Sequence, residues 1–162
     1  MHGQDSSFAS GVLCAMLLSV AACDDYPRDP EGTLKRIQSS GLVRAGCSNH
    51  PPWVELSGAM PRGTEVVLVD ALARELGARV AWQGGAENLL TKLEEYELDV
   101  VVGGFANDTP WQERVAMSRP YAEQAGKPRV WLFPPGENAW QLRAERFLLS
   151  ASARQLLTGE SQ

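Results

Sequence analysis

The stretch best suited to chemistry runs from Leu98 to Tyr121, LDVVVGGFANDTPWQERVAMSRPY. Val100, Val101 and Val102 form an apolar run that ends in Gly103 and Gly104. Such a run reads as a buried parallel strand whose carboxyl end opens into a loop. Ligands of open α/β sheets sit at that end. Glycine there lets a ligand or another backbone approach closely. The loop carries Asn107, Asp108 and Thr109, then Trp111, Gln112 and Arg114. Backbone N–H groups at the strand end can bind an anion. A small-molecule site here would use Gly104, Phe105, Asp108, Thr109 and either Arg114 or Gln112, together with Trp53. Trp111 is the aromatic best placed to anchor a ligand or a partner, since interfaces favour Trp.

Other chemistries find little support. No GxxxxGK or GxGxxG accompanies the double glycine, so it is not a phosphate loop. His2 and His50 are the two histidines, and His50 has no partner at metal-ligand spacing. No Ser/His/Asp or Cys/His arrangement stands out. We expect no metal, no cofactor and no enzyme activity.

Elements that position the loop follow from periodicity. Thr33–Ser40 reads as a helix capped by Thr33 and stopped by Gly41. Leu42–Ser48 is a strand, ended by His50-Pro51-Pro52-Trp53. Glu65–Leu76 places Val66, Val69, Ala73 and Leu76 at helical spacing, with Leu68 and Leu72 widening the face. The plain role of Glu65 is a carboxylate near the positive helix end. Ala78–Trp82 is a second strand, Glu87–Tyr96 a helix, Leu98–Gly104 a third strand and Pro128–Phe133 a fourth. Asn138 with Gln141 forms a capping-box pattern for a last helix. That helix turns Trp140, Ala144, Phe147, Leu148 and Ala151 inward and frays near Thr158. Trp82, Trp131 and Trp140 are expected in the core. The alternation predicts one α/β domain with a mostly parallel sheet flanked by helices.

Length and composition agree. The chain has 162 residues, 44% hydrophobic and 22% charged, enough for one substantial core. A net charge of −5 argues against nucleic acid as a partner. Gly11–Ala22 is apolar but too short to span a bilayer. Three cysteines, Cys14, Cys23 and Cys47, imply no disulfide framework. Cys47 reads as a small buried hydrophobe rather than a reactive thiol.

Two resemblances sharpen this reading. Val20-Ala21-Ala22-Cys23 looks like the lipobox of bacterial lipoproteins, although no Lys or Arg precedes the apolar run. It implies a signal peptide over 1–22, lipidation at Cys23 and a polar tether over 23–32. Several acyl chains would anchor firmly where one binds marginally. Asp24 and Asp25 resemble an inner-membrane retention signal. The alternative is an uncleaved N-terminal helix.

Asp99, Gly103, Gly104, Thr109, Met117, Ser118, Pro120 and Tyr121 match a second pattern. It resembles the end of the first lobe in bacterial extracellular solute-binding proteins of family 3, the amino-acid receptors of ABC importers. The likeness runs from about Thr33 to Leu157, the lobe being 33–157 and the tail 158–162. It implies one lobe of a type 2 periplasmic-binding fold, with the second lobe deleted after Tyr121. Pro128–Phe133 resembles the returning hinge strand.

In that family a Thr-x-x-Arg pair holds the ligand carboxylate. Counting from Thr109 puts Gln112 at the arginine position, with Arg114 two residues later. Either Arg114 takes the role or the clamp is absent. Trp53 matches a position that stacks on ligands, or else covers the core. Glu65 falls near a helix start where the family often carries an acid facing the cleft, which implies a ligand-binding role for it.

The expected function is a lipid-anchored extracytoplasmic solute-binding protein with an amino-acid-like ligand. The alternative is a non-enzymatic accessory or sensor subunit docked on a membrane partner. On either reading Trp53, Phe105 and Trp111 are expected on the open face of the lobe.

Overall fold

The computed structural model describes residues 29–85 and 88–159. The signal, the Cys23 lipidation point and most of the tether lie outside the described residues, as do Ala86, Glu87 and residues 160–162.

Eleven elements follow in order: α1 (Thr33–Ser40), β1 (Leu42–Cys47), α2 (Thr64–Glu75), β2 (Arg79–Gly84), α3 (Leu89–Glu94), β3 (Val100–Ala106), β4 (Ala116–Met117), β5 (Ala122–Gln124), β6 (Lys127–Phe133), α4 (Asn138–Leu148) and α5 (Ala151–Gly159). They build one six-stranded sheet in the order β2-β1-β3-β6-β4, with β5 also paired to β6. The sheet is mixed. β2, β1 and β3 run parallel, as the βα alternation predicts. β6 joins β3 antiparallel, and β4 and β5 join β6 antiparallel. The antiparallel half arises because Ala122–Lys127 closes a tight hairpin at Ala125 and Gly126, both at positive φ. So short a link allows only an antiparallel return.

Side chains alternate across the sheet. Val43, Ala45, Cys47, Val100, Val102, Trp131 and Phe133 face the layer of α1, α2, α4 and α5. Val101, Val130 and Leu132 face the opposite side and pack with Leu89, Leu93, Leu98 and Val115. Burial stabilises each Val, Leu and Phe side chain among these by about 1.5–3 kcal/mol. The second, smaller layer is what seats α3 and the loop after β3.

Helix ends differ from the sequence expectation. Thr33 does not cap α1; its N–H and that of Glu31 both donate to the Glu137 carboxylate at 2.7 Å. Nor do Asn138 and Gln141 form a capping box. Asp29 Oδ1 accepts the Ala139 N–H at 2.7 Å, and Gln141 donates to the Met117 carbonyl. Capping between distant segments leaves no local signature. The last helix is two helices, broken at Leu149–Ser150, which turns Ala153 into the core and leaves Ala151 exposed. Trp82 is half-buried on the edge strand β2 and donates to Asp70 at 3.3 Å, while Trp131 and Trp140 are core residues.

Candidate functional site

The carboxyl ends of β1 and β3 open onto a groove of about 540 Å³. Ser48 and His50 enter it from the end of β1, and Gly103 to Ala106 from β3. Asp108, Thr109, Pro110 and Trp111 come from the loop, and Lys127 and Arg129 from β6. The position is the one a parallel sheet offers to a ligand.

The double glycine makes the groove wall. Between Val101↔Leu132 and Phe105↔Val130 the β3 strand takes four steps against two on β6. The excess residues bulge. Gly104 sits at φ 60°, and a Cβ there would lie 2.5 Å from Trp53 Cδ1. Glycine is therefore required twice over, for conformation and for space.

Beneath the bulge lies a polar and aromatic floor. Glu65 is fully buried, and its Oε2 accepts the Gly104 N–H at 2.8 Å. Its Oε1 accepts a hydrogen bond from the Tyr121 hydroxyl. Burial pushes the Glu65 carboxyl up from 4.5 to about 7, against the hydrogen bonds and the Arg129 charge that pull it down. Burial and the neighbouring Glu65 likewise push the Tyr121 phenol upward. Arg129, 7% exposed, donates to the Gly104 carbonyl at 2.6 Å and to Gln124 Oε1 at 3.1 Å. Its guanidinium stands 5.9 Å from the centre of the Trp53 ring. The Trp53 indole N–H donates to the same Gln124 Oε1 at 2.6 Å.

These contacts correct one expectation and resolve another. Trp53 is 7% exposed and packs edge-on to Tyr121 at 6.0 Å, so it covers the core and is absent from the open face. Glu65 reaches the groove through the Gly104 backbone rather than by facing it.

The loop after β3 separates its candidates. Asp108 is exposed at the rim and ion-paired with Lys127 at 3.0 Å. That hydrogen bond and charge hold the Asp108 carboxyl below the usual range. Thr109 is buried in the groove wall, where its N–H meets the Ala106 carbonyl. Phe105 and Trp111 are half-buried and stack edge to face at 5.8 Å. Gln112 and Arg114 are exposed and lie outside the groove lining. Arg114 instead pairs with Glu94 of α3 through Nε at 2.7 Å and through Nη2. The carboxylate clamp therefore does not form through Arg114 in this structure.

The groove's cations, Lys127 and Arg129, come from β6, where the sequence pattern marks only a strand. By alternation both belong to the Trp131 and Phe133 side of that hairpin strand. The buried Cys47 thiol is pushed up to about 11, chiefly by burial, which makes it unreactive at neutral pH. Among the described residues no group of three or more His, Cys, Asp or Glu side chains is placed to hold a metal ion. No helix among them is long and apolar enough to cross a membrane.

No protein-family model and no curated protein match the chain. Solved structures do. The arginine-bound form of domain 1 from TmArgBP is 22% identical, with TM-score 0.63 over 70% of this chain and 95% of that one. An ancestral cationic amino acid solute-binding protein gives TM-score 0.68 at 14% identity over 78% and 98%. An ABC uptake transporter substrate-binding protein from Streptococcus pneumoniae, solved with bound histidine, gives 0.51 at 20% identity over 57% and 39%. At these identities the likeness establishes the fold: the chain is an α/β lobe of the type 2 periplasmic-binding architecture.

Proposed function

We propose that the chain is a lipid-anchored, extracytoplasmic amino-acid-binding lobe that serves a membrane transporter. The observation that carries this reading is the Lys127–Asp108 pair on the rim of the groove at the ends of β1 and β3. An exposed pair of this kind contributes little by itself. A zwitterion can therefore replace it at small cost. Its carboxylate would take Lys127 and its ammonium Asp108, while Thr109 and the bulged backbone supply hydrogen bonds. Arg129 adds positive potential from below.

One lobe offers one wall, whereas small-molecule sites usually bury about 70–90% of a ligand. The structural neighbour described as arginine-bound is a single domain, which supports binding by one lobe. The anchor rests on Val20-Ala21-Ala22-Cys23 and predicts an acylated Cys23 by mass spectrometry of the mature N-terminus. An intact Met1 on a protein recovered from the cytosol would defeat the anchor.

The binding test is isothermal titration of the protein with a panel of amino acids. Saturable binding of at least one, weakened by Asp108→Asn and by Lys127→Met, is expected. No heat with any of them would overturn the reading.

A further inference from the structure

We infer that the side-chain subsite of this groove selects apolar amino acids, an inference that rests on the amino-acid-binding reading. Directly beside the rim lies a second pocket of about 180 Å³. It shares Ser48, Phe105 and Trp111 with the groove and is completed by Leu89, Leu90 and Val101. Two adjoining hollows that share these three residues thus offer two chemistries: a charged one at Lys127 and Asp108, and an apolar one between α3 and the Phe105–Trp111 pair.

The size fits a side chain. An apolar cavity of about 150 Å³ holds a benzene ring. The lining fixes the class. Five of its six residues are aliphatic or aromatic, and no acid among the described residues lines it. A guanidinium or ammonium placed there would lose water and gain no partner. Glu94, the last residue of α3, is already held by Arg114 on the outer surface. A leucine or phenylalanine side chain would gain about 0.8 kcal/mol for each buried methylene, and an aromatic ring would add an edge contact to Trp111. The arginine and histidine named for the structural neighbours are therefore not the ligands this pocket favours.

The experiment titrates the full-length protein with leucine, phenylalanine, arginine and glutamine. Leucine or phenylalanine is expected to bind at least about tenfold tighter than arginine, the discrimination that added methylenes give in an apolar pocket. Leu90 is half-buried, so Leu90→Glu is expected to fold, to weaken leucine binding and to strengthen arginine binding. Trp111→Ala is expected to weaken phenylalanine binding more than glutamine binding. Arginine binding as tightly as leucine to the native protein would overturn the inference while leaving the amino-acid-binding reading standing. Absence of binding by all four, and by the wider panel, would overturn both.

Discussion

Glu65 and Arg129 grip Gly104 from its two polar ends: the carboxylate accepts its N–H at 2.8 Å, and the guanidinium donates to its carbonyl at 2.6 Å. An acid and a base, both buried, are thus joined through one residue of the groove wall. Removing the acid leaves the Gly104 N–H and the Tyr121 hydroxyl without their acceptor. Glu65→Ala is expected to destabilise the lobe by about 2–4 kcal/mol in urea denaturation. Glu65→Gln keeps an acceptor for Gly104 and should cost clearly less. Equal losses for the two variants would show that neither the acceptor nor the volume that glutamine retains stabilises the lobe.

The same carboxyl makes stability depend on pH. It titrates near 4.5 in the unfolded chain and at about 7 in the folded one, because burial disfavours its charge. The folded state therefore holds the proton more tightly. Its contribution is complete below about pH 4.5, declines as pH rises from there, and is gone above about pH 7. The loss amounts to about 3 kcal/mol. Measured across that range, the native protein should lose stability relative to Glu65→Gln. A constant difference between the two would exclude Glu65 as the titrating group.

Gly104 is the least replaceable position in the groove. Alanine there combines a left-handed backbone with a Cβ 2.5 Å from Trp53 Cδ1 and 2.9 Å from Cγ. Gly104→Ala is expected to cost more than about 2 kcal/mol and to abolish amino-acid binding. Gly126 offers the internal comparison. It also has positive φ but meets nothing within 4 Å, so Gly126→Ala should carry only the conformational part, about 1–2 kcal/mol. Chemical denaturation of the two variants separates strain from collision.

Glu137 is the buried cap of a helix that begins 104 residues before it. Glu137→Ala removes the acceptor of two N–H groups and should cost about 2 kcal/mol. Hydrogen exchange is expected to accelerate first in α1. Protection retained there would assign the cap no role in stability.

Elements with a strong period were legible before the structure. Val66, Leu68, Val69 and Leu72 announce α2, and Val100 to Val102 announce β3. The strand-end loop was legible too, because Gly103-Gly104 after an apolar run has few other uses. What stayed hidden depends on contacts across long separations. Whether Trp53 covers the core or faces the cleft turns on Gln124, 71 residues away. Arg114 looked available because Glu94, which holds it, stands on another element. Lys127 and Arg129 stay hidden because charge on a hairpin strand carries no spacing signal until the strand is paired.

The paired caps bear on how the chain matures. Asp29 serves α4 while Glu137 serves α1, and β3 lies between β1, which precedes it, and β6, which follows. A nascent chain emerging amino end first can make none of these closures until nearly all of it has been synthesised. A fragment ending before Lys127 has an uncapped first helix and a central strand with one open edge. Folding is thereby deferred to the last stage of synthesis, which, on the export proposed above, would keep the polypeptide threadable until it has been delivered.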